Sequence, residues 1–138
     1  MRFISKALVI EYLELIIEKS DLVIKRNHSI VTVYDFLSSP ERMEKLDAAC
    51  MLVQVIGETA KKIDDWTSSK LFCNYQDVYW RGVFGCRNII SHEYGNVDPQ
   101  QIFNIIKKYL PELINCVTTI IKDLMDGKYE SLFEKGGK

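Results

Sequence analysis

The chain of 138 residues has the length of one domain, which we expect to span residues 1–138. Hydrophobic residues make up 47% of it and charged residues 27%, a globular composition that excludes disorder and collagen-like structure. The 18 basic and 19 acidic residues give a net charge of −1, which excludes a protein that coats nucleic acid through bulk positive charge. Any nucleic-acid function must therefore depend on a local site.

Three features of the sequence indicate the cellular compartment of the protein and whether it binds a metal or a cofactor. The longest uncharged stretch, residues 48–57, has ten residues, whereas a membrane-spanning helix needs about 18 or more. Charged residues interrupt the apolar N-terminal stretches, which argues against a secretory leader. The cysteines form no Cys-x-x-Cys pair and have no histidine at zinc spacing; they are Cys50, Cys73, Cys86 and Cys116. We expect a cytoplasmic protein with free thiols and without a membrane segment, metal or cofactor.

The first predicted element is a long helix, because apolar residues recur at helical spacing from Leu8 to Val23. Leu13, Ile17 and Ile24 add apolar side chains outside that stripe. A helix that is apolar over more than one face is either deeply buried or covered by a second chain, so this width suggests a dimer. Residues 27–37 look strand-like in part but have no partner strand, and we predict a loop and a short helix.

A second long helix is predicted to start at Ser38-Ser39-Pro40-Glu41 and to end near Trp66. A serine caps the first turn, proline has no N–H to lose there, and glutamate complements the helix dipole. The apolar stripe runs from Met43 to Ile63. Gly57 within it costs about 1 kcal/mol relative to alanine, which indicates the close approach of another backbone.

Two further helices complete the prediction. The third begins near Asn74, runs through Arg87-Asn88 and ends before Gly95-Asn96. Asp98-Pro99 starts the last helix, which Pro111 should kink or split. The sequence therefore predicts an all-α fold, an up-and-down four-helix bundle with short extra helices.

The residues that can carry chemistry lie between Arg87 and Tyr94, since the other histidine, His28, stands alone in a polar loop. At about 100° per residue, Arg87 and Tyr94 lie roughly 20° apart, and Asn88 and His92 form an i, i+4 pair. One interpretation is structural: Arg and His side chains bind the carbonyls at the helix end. The other is a reactive site on a rigid support.

Cleavage of a phosphodiester needs the residue types found here. Histidine moves protons near neutral pH, and the arginine of this segment, Arg87, can hold the charged phosphorane as a bidentate fork. If RNA is the substrate, its own 2′-hydroxyl can attack, so no metal is required. Two proton transfers usually need two groups, and a symmetric dimer would supply a second copy of His92.

Residues 87–94 read R-x4-H-x-Y, the signature of HEPN domains, with the expected polar Asn88 after the arginine. The segment Gln54–Lys61 resembles the family's "IGE-A-K" segment. Further similar positions are Trp80-Arg81, Asp98 and Leu110-Pro111. The pattern, which covers nearly the whole chain, matches the HepT branch, the toxin half of MntA–HepT toxin–antitoxin modules.

This resemblance implies an all-helical, HEPN-like homodimer in which the two motifs face each other. It implies a metal-independent ribonuclease of a type VII-like toxin–antitoxin system, with Arg87 and His92 needed for cleavage and Asn88 orienting them. It also implies that an MntA-like minimal nucleotidyltransferase, the antitoxin, silences the toxin by adenylylating Tyr94. Glu93 departs from the pattern; its carboxylate either weakens polyanion binding or pairs with a local cation.

Three functions are compatible with the sequence. The complete motif favours an RNA endonuclease, whereas the acidic balance and the single motif histidine favour a non-catalytic adaptor subunit for a nucleotidyltransferase. A purely structural bundle is the third. Gly57-Glu58 also has two interpretations, namely close packing at a dimer seam or a direct role of Glu58 in the site.

Overall fold

The computed structural model describes residues 4–89 and 97–133. Within these ranges the chain is helical apart from its connections and one isolated bridge between Ile4 and Phe133. The α-helices are α1 (Lys6–Arg26), α2 (Pro40–Trp66), α3 (Trp80–Gly85), α4 (Pro99–Asn104) and α5 (Leu110–Met125). The predicted all-α bundle is confirmed. None of the helices in the described part of the chain is both long and apolar enough to span a bilayer.

Helix α1 packs against both α2 and α5 and forms the centre of the core. Its fully buried residues include Val9, Leu13 and Ile16. Among the apolar residues outside the stripe, Ile17 and Ile24 are half-buried against the chain's own core. Packing within the chain thus accounts for part of the apolar width of α1, and the dimer stays a prediction.

The start of α2 follows the predicted pattern. The Ser39 hydroxyl accepts a hydrogen bond from the Arg42 N–H, and Pro40 occupies the first turn. The preceding connection contains a short 3₁₀ helix, Val33–Leu37, and no strand, as predicted. Met43, placed in the core stripe by its spacing, is instead 49% exposed.

The third helix is shorter than predicted, because α3 begins at Trp80 and not near Asn74. The Asn74 amide donates to the carbonyls of Lys70 and Leu71 and closes the 3₁₀ turn Phe72–Asn74. A local contact holds the following residues outside a helix, since the Trp80 indole N–H donates to the Tyr75 carbonyl, five residues earlier, at 2.8 Å. Asn74, whose side chain could have capped the start of a helix, therefore ends a 3₁₀ turn instead.

The last helix is interrupted near Pro111, as predicted. Helix α4 passes through a π-helical turn, Ile105–Tyr109, into α5. The Leu110 N–H bonds to the Ile105 carbonyl, five residues earlier. Proline has no N–H to donate to the carbonyl four residues before it, so the insertion of one wide turn accommodates that loss. Asp98 caps α4 by accepting from the Gln100 N–H.

A polar contact fixes residues 75–79 to the far end of α5. The Tyr75 hydroxyl donates to Asp123 Oδ2 at 2.6 Å. This hydrogen bond is the main reason that the pKa of Asp123 lies below its usual value, and the Lys128 ammonium, 3.5 Å away, acts in the same direction. Burial raises the pKa of the Tyr75 phenol, so Tyr75 remains the donor at neutral pH.

We predict that Asp123→Asn destabilises the fold at pH 7 and that the difference from the wild type narrows at low pH. A carboxylate whose pKa is lower in the folded state stabilises that state above its unfolded pKa, and the contribution is lost as the pH falls through the folded value. Urea unfolding at pH 7 and pH 3 measures this. Asp126→Asn is the control, since it removes only a surface i, i+4 pair with Lys122. An equal loss of stability at both pH values would contradict the prediction.

Candidate active site

Of the predicted site residues, the structure describes Arg87 and Asn88. They lie in the 3₁₀ turn Cys86–Asn88 that continues α3, with Arg87 half-buried and Asn88 exposed. A 3₁₀ turn advances by about 120° per residue, so the α-helical spacing assumed from sequence does not hold at this turn. His92 and Tyr94 lie outside the described residues, as does the segment 95–96 that was expected to end the helix.

Gly57 determines where the turn with Arg87 can lie. A Cβ atom at residue 57 would come within 2.5 Å of the Arg87 backbone nitrogen and 2.9 Å of the Val83 carbonyl oxygen. Real Cβ atoms do not approach backbone so closely, so only glycine permits this contact. The predicted close approach is confirmed. Its partner belongs to the same chain, so the close approach at Gly57 does not need a second chain, and a dimer seam there stays a prediction.

An aromatic cluster holds α3 in this position. The Trp80 ring stacks on Phe72 with 3.9 Å between centroids and 9° between planes. Phe84 packs beside both rings, and the Lys61 ammonium of α2 lies 5.6 Å from its centroid. Lys61 and Trp80, which belong to the segments that resemble the family, thus hold the turn with Arg87 in place through packing.

Glu58, considered from sequence for a direct role, is exposed at the neighbouring position of α2. Its carboxylate accepts a hydrogen bond from the Gln54 amide at 3.2 Å. This contact joins residues one turn apart on α2. Glu58 therefore has a local partner on its own helix, and its direct role stays a prediction.

Cys86 lies next to Arg87 but is unsuited to act as a nucleophile. Its thiol donates to the Gly82 carbonyl at 3.4 Å, and burial raises its pKa to about 11. The thiol therefore keeps its proton near neutral pH. Across the described residues, no group of three or more His, Cys, Asp or Glu side chains is placed to hold a metal ion.

A cavity of about 390 Å³ adjoins the same turn, and sequence reasoning missed it. It opens between α2, α3 and the π turn, and Cys86 forms part of its wall. Tyr79 and Tyr109 also line it, although they are 73% and 51% exposed. The sequence holds no direct signal for the cavity, because its walls come from distant segments.

Comparison with known proteins assigns the chain to a family. The family model described as "Ribonuclease HepT-like" matches residues 9–120. The chain belongs to the HepT-like ribonuclease family. The matched range includes the Gly57 contact, Arg87, and the motif residues up to Tyr94. The resemblance identified from sequence and the assignment as a ribonuclease are therefore confirmed.

A curated relative of this HepT-like ribonuclease is the protein named "Putative RNase TTE0752" from Caldanaerobacter subterraneus subsp. tengcongensis. The two sequences are 29% identical over 111 residues, which cover 80% of this chain and 92% of the relative. No solved structure matches the chain.

We predict that Gly57→Ala destabilises this HepT-like ribonuclease and reduces RNA cleavage. The better helix propensity of alanine gains about 1 kcal/mol. Overpacking costs about 1–3 kcal/mol, and near the upper end here because the clash is with backbone atoms, so we expect a net loss of up to about 2 kcal/mol. Displacement of the Arg87 backbone should reduce the cleavage rate by about 10- to 100-fold. Urea unfolding and a cleavage assay measure the two effects.

Gly85→Ala is the matched control, since an added Cβ there meets nothing within 4 Å. We expect it to leave stability unchanged or to raise it by up to about 1 kcal/mol, with normal cleavage. Equal behaviour of the two alanine variants would show that the Gly57 contact does not position the site.

Proposed function

We propose that this HepT-like ribonuclease is a metal-independent RNA endonuclease and the toxin of a type VII-like toxin–antitoxin system. The observation that supports this most is the family match over residues 9–120, which spans the complete R-x4-H-x-Y motif. The described geometry agrees with it, since Gly57 and the cluster around Trp80 fix the backbone of Arg87 at one position.

In the proposed reaction, His92 removes the proton from a ribose 2′-hydroxyl, which attacks the adjacent phosphorus. Arg87 binds the phosphorane through its guanidinium, which carries a permanent positive charge. The bond to the 5′-oxygen breaks, that oxygen receives a proton, and a 2′,3′-cyclic phosphate remains. Asn88 orients the pair. The attacking oxygen comes from the substrate, so this chemistry needs no metal.

The enzyme acts as a homodimer in this proposal. Each motif contains one histidine, whereas the two proton transfers of the reaction need a base and an acid. Two motifs across a shared groove supply both, one from each chain. The main support for the dimer here is this requirement for a second proton-transfer group, because packing within the chain already half-buries Ile17 and Ile24 of α1.

The partner in this proposal is an MntA-like minimal nucleotidyltransferase that transfers AMP from ATP to the Tyr94 hydroxyl and releases pyrophosphate. The added phosphate places negative charge within a few residues of Arg87 in the sequence, where it competes with RNA phosphate for the same cation.

A second candidate function is a non-catalytic adaptor that binds a nucleotidyltransferase and positions its substrate. Two features of the sequence favour it. A net charge of −1 weakens the binding of a polyanion such as RNA. A single histidine in the motif supplies only one of the two groups that two proton transfers need. Loss of cleavage in the variants described next separates the two functions.

We predict that Arg87→Ala and His92→Ala each abolish RNA cleavage and growth inhibition without unfolding the protein. Loss of an acid–base group costs about 10²–10⁴-fold in rate, and loss of a transition-state charge contact costs about 3–4 kcal/mol. Cleavage of single-stranded RNA in EDTA, with product ends identified by mass spectrometry, is the measurement. Wild-type products should end in a cyclic or 3′-phosphate.

The control for these variants is His28→Ala, which removes an exposed histidine elsewhere in the chain and should leave cleavage unchanged. Full activity in His92→Ala would favour the adaptor. Cleavage of DNA by the wild type would contradict attack by the 2′-hydroxyl.

We predict that a cognate nucleotidyltransferase with ATP adds AMP to the peptide that contains Tyr94, and that Tyr94→Phe prevents this because the acceptor oxygen is absent. Peptide mass spectrometry detects the modification. Tyr34→Phe is the control, since Tyr34 is 77% exposed in a different segment. Modification of any other tyrosine would disprove the assignment of the acceptor and leave the fold assignment intact.

A further inference from the structure

The cavity beside Arg87 has a composition that the proposed cleavage reaction does not use. We call it the tyrosine groove and define it by Tyr79 and Tyr109 at its opening and by Val53, Ile56 and Val83 among its apolar lining residues. Its volume of about 390 Å³ lies in the range of small-ligand pockets, about 300–1,000 Å³. It is large enough to bind a planar group.

The two tyrosines provide aromatic surfaces that the core does not cover, since their exposed fractions are 73% and 51%. The Tyr79 ring lies against the first turn of α3, and its Cδ2 atom is 2.9 Å from the place where a Cβ of Gly82 would stand. Gly82 thus makes room for the ring. Exposed aromatic rings at the mouth of an apolar pocket are the surfaces on which unpaired bases stack.

The polar groups at the groove favour a base over a phosphate as its occupant. Gln101 and Asn104 contribute amide groups, and Glu112 contributes a carboxylate. A carboxylate repels phosphate oxygens but accepts hydrogen bonds from the amino and imino groups of bases. Amide groups both donate and accept, as the edges of bases require. The groove therefore suits a neutral, planar, hydrogen-bonding group.

Positive charge is available just outside the groove for the attached sugar-phosphate chain. The Lys108 ammonium lies 5.3 Å from the centroid of the Tyr109 ring, and Lys108 is exposed. Cys86 of the groove wall directly precedes Arg87 in the chain, so the turn that carries Arg87 adjoins the groove. A nucleotide whose base lies in the groove thus has Lys108 and the turn with Arg87 nearby, and positive charge along the backbone is what binding of single-stranded nucleic acid requires.

We propose that the tyrosine groove binds one unpaired base of single-stranded RNA, next to the phosphate that Arg87 holds. The base stacks on Tyr79 and Tyr109, and its edge bonds to the amides and carboxylate at the opening. This inference rests on the proposed function, because it takes the phosphate bound by Arg87 to be that of RNA. The groove then selects unpaired RNA over duplex RNA, whose bases are not accessible for stacking.

The test combines protein variants with abasic substrates. Cleavage is first mapped on a short single-stranded RNA, and each base near the cut is then removed in turn. With the wild type, loss of one particular base should raise KM by about 5- to 100-fold, the range expected for base–aromatic stacking. Tyr79→Ala and Tyr109→Ala should raise KM for the intact RNA by a similar factor with kcat nearly unchanged, since uniform binding is lost.

The decisive result is non-additivity. In Tyr79→Ala, removal of that same base should have little further effect, because its partner is already absent. Tyr79→Phe keeps the ring and should behave as the wild type. Tyr34→Ala is the matched control, since Tyr34 is 77% exposed and lies outside the groove. Equal effects of base removal in the wild type and in both groove variants would overturn the inference.

Failure of the groove and failure of the proposed function give different results. If the wild type cleaves RNA and the tyrosine variants change neither KM nor the abasic profile, only the groove is disproved. If the wild type cleaves no RNA, fluorescence anisotropy with the same oligonucleotide still tests the groove, and unchanged affinity in Tyr79→Ala overturns it. AMP that binds as tightly as the oligonucleotide would also overturn it, since the groove would then serve a free nucleotide.

Discussion

The contact between Gly57 and the backbone at Arg87 is the constraint on which the candidate site depends. Two backbone segments meet there without a side chain between them, so the position of the Arg87 backbone relative to α2 is set by main-chain packing. A turn held by such a contact has little freedom to shift, which suits the role that we propose for Arg87, the binding of charge that develops in a transition state.

The short third helix shows how this constraint is met. A six-residue helix, Trp80–Gly85, gains too little from its own hydrogen bonds to be stable in isolation. Its stability comes from the stacking of Trp80 on Phe72, from Phe84, and from the Lys61 ammonium over that ring. The hydrogen bond from Tyr75 to Asp123 ties the preceding connection to α5. Tertiary packing therefore supports the described part of the R-x4-H-x-Y motif, Arg87 and Asn88.

The same arrangement creates the tyrosine groove. Because α3 lies close to α2 at Gly57 and the chain widens into a π turn at Ile105–Tyr109, a space remains between them that the apolar side chains line without filling. The packing of α3 on α2 thus places the turn that carries Arg87 next to an apolar groove. The proposed cleavage and the proposed base binding would both draw on this single geometric feature.

The sequence by itself determined the helical class, the helix starts at Pro40 and Pro99, the break near Pro111 and a close approach at Gly57, because each depends on local backbone chemistry. The structure chose Ser39 over Ser38 as the cap. It also indicated the ribonuclease family through the motif at Arg87. Only the tertiary structure decided what approaches Gly57, where α3 begins, and that Tyr79 and Tyr109 share one groove. These features depend on contacts between segments far apart in the chain, and helical periodicity carries no information about such contacts.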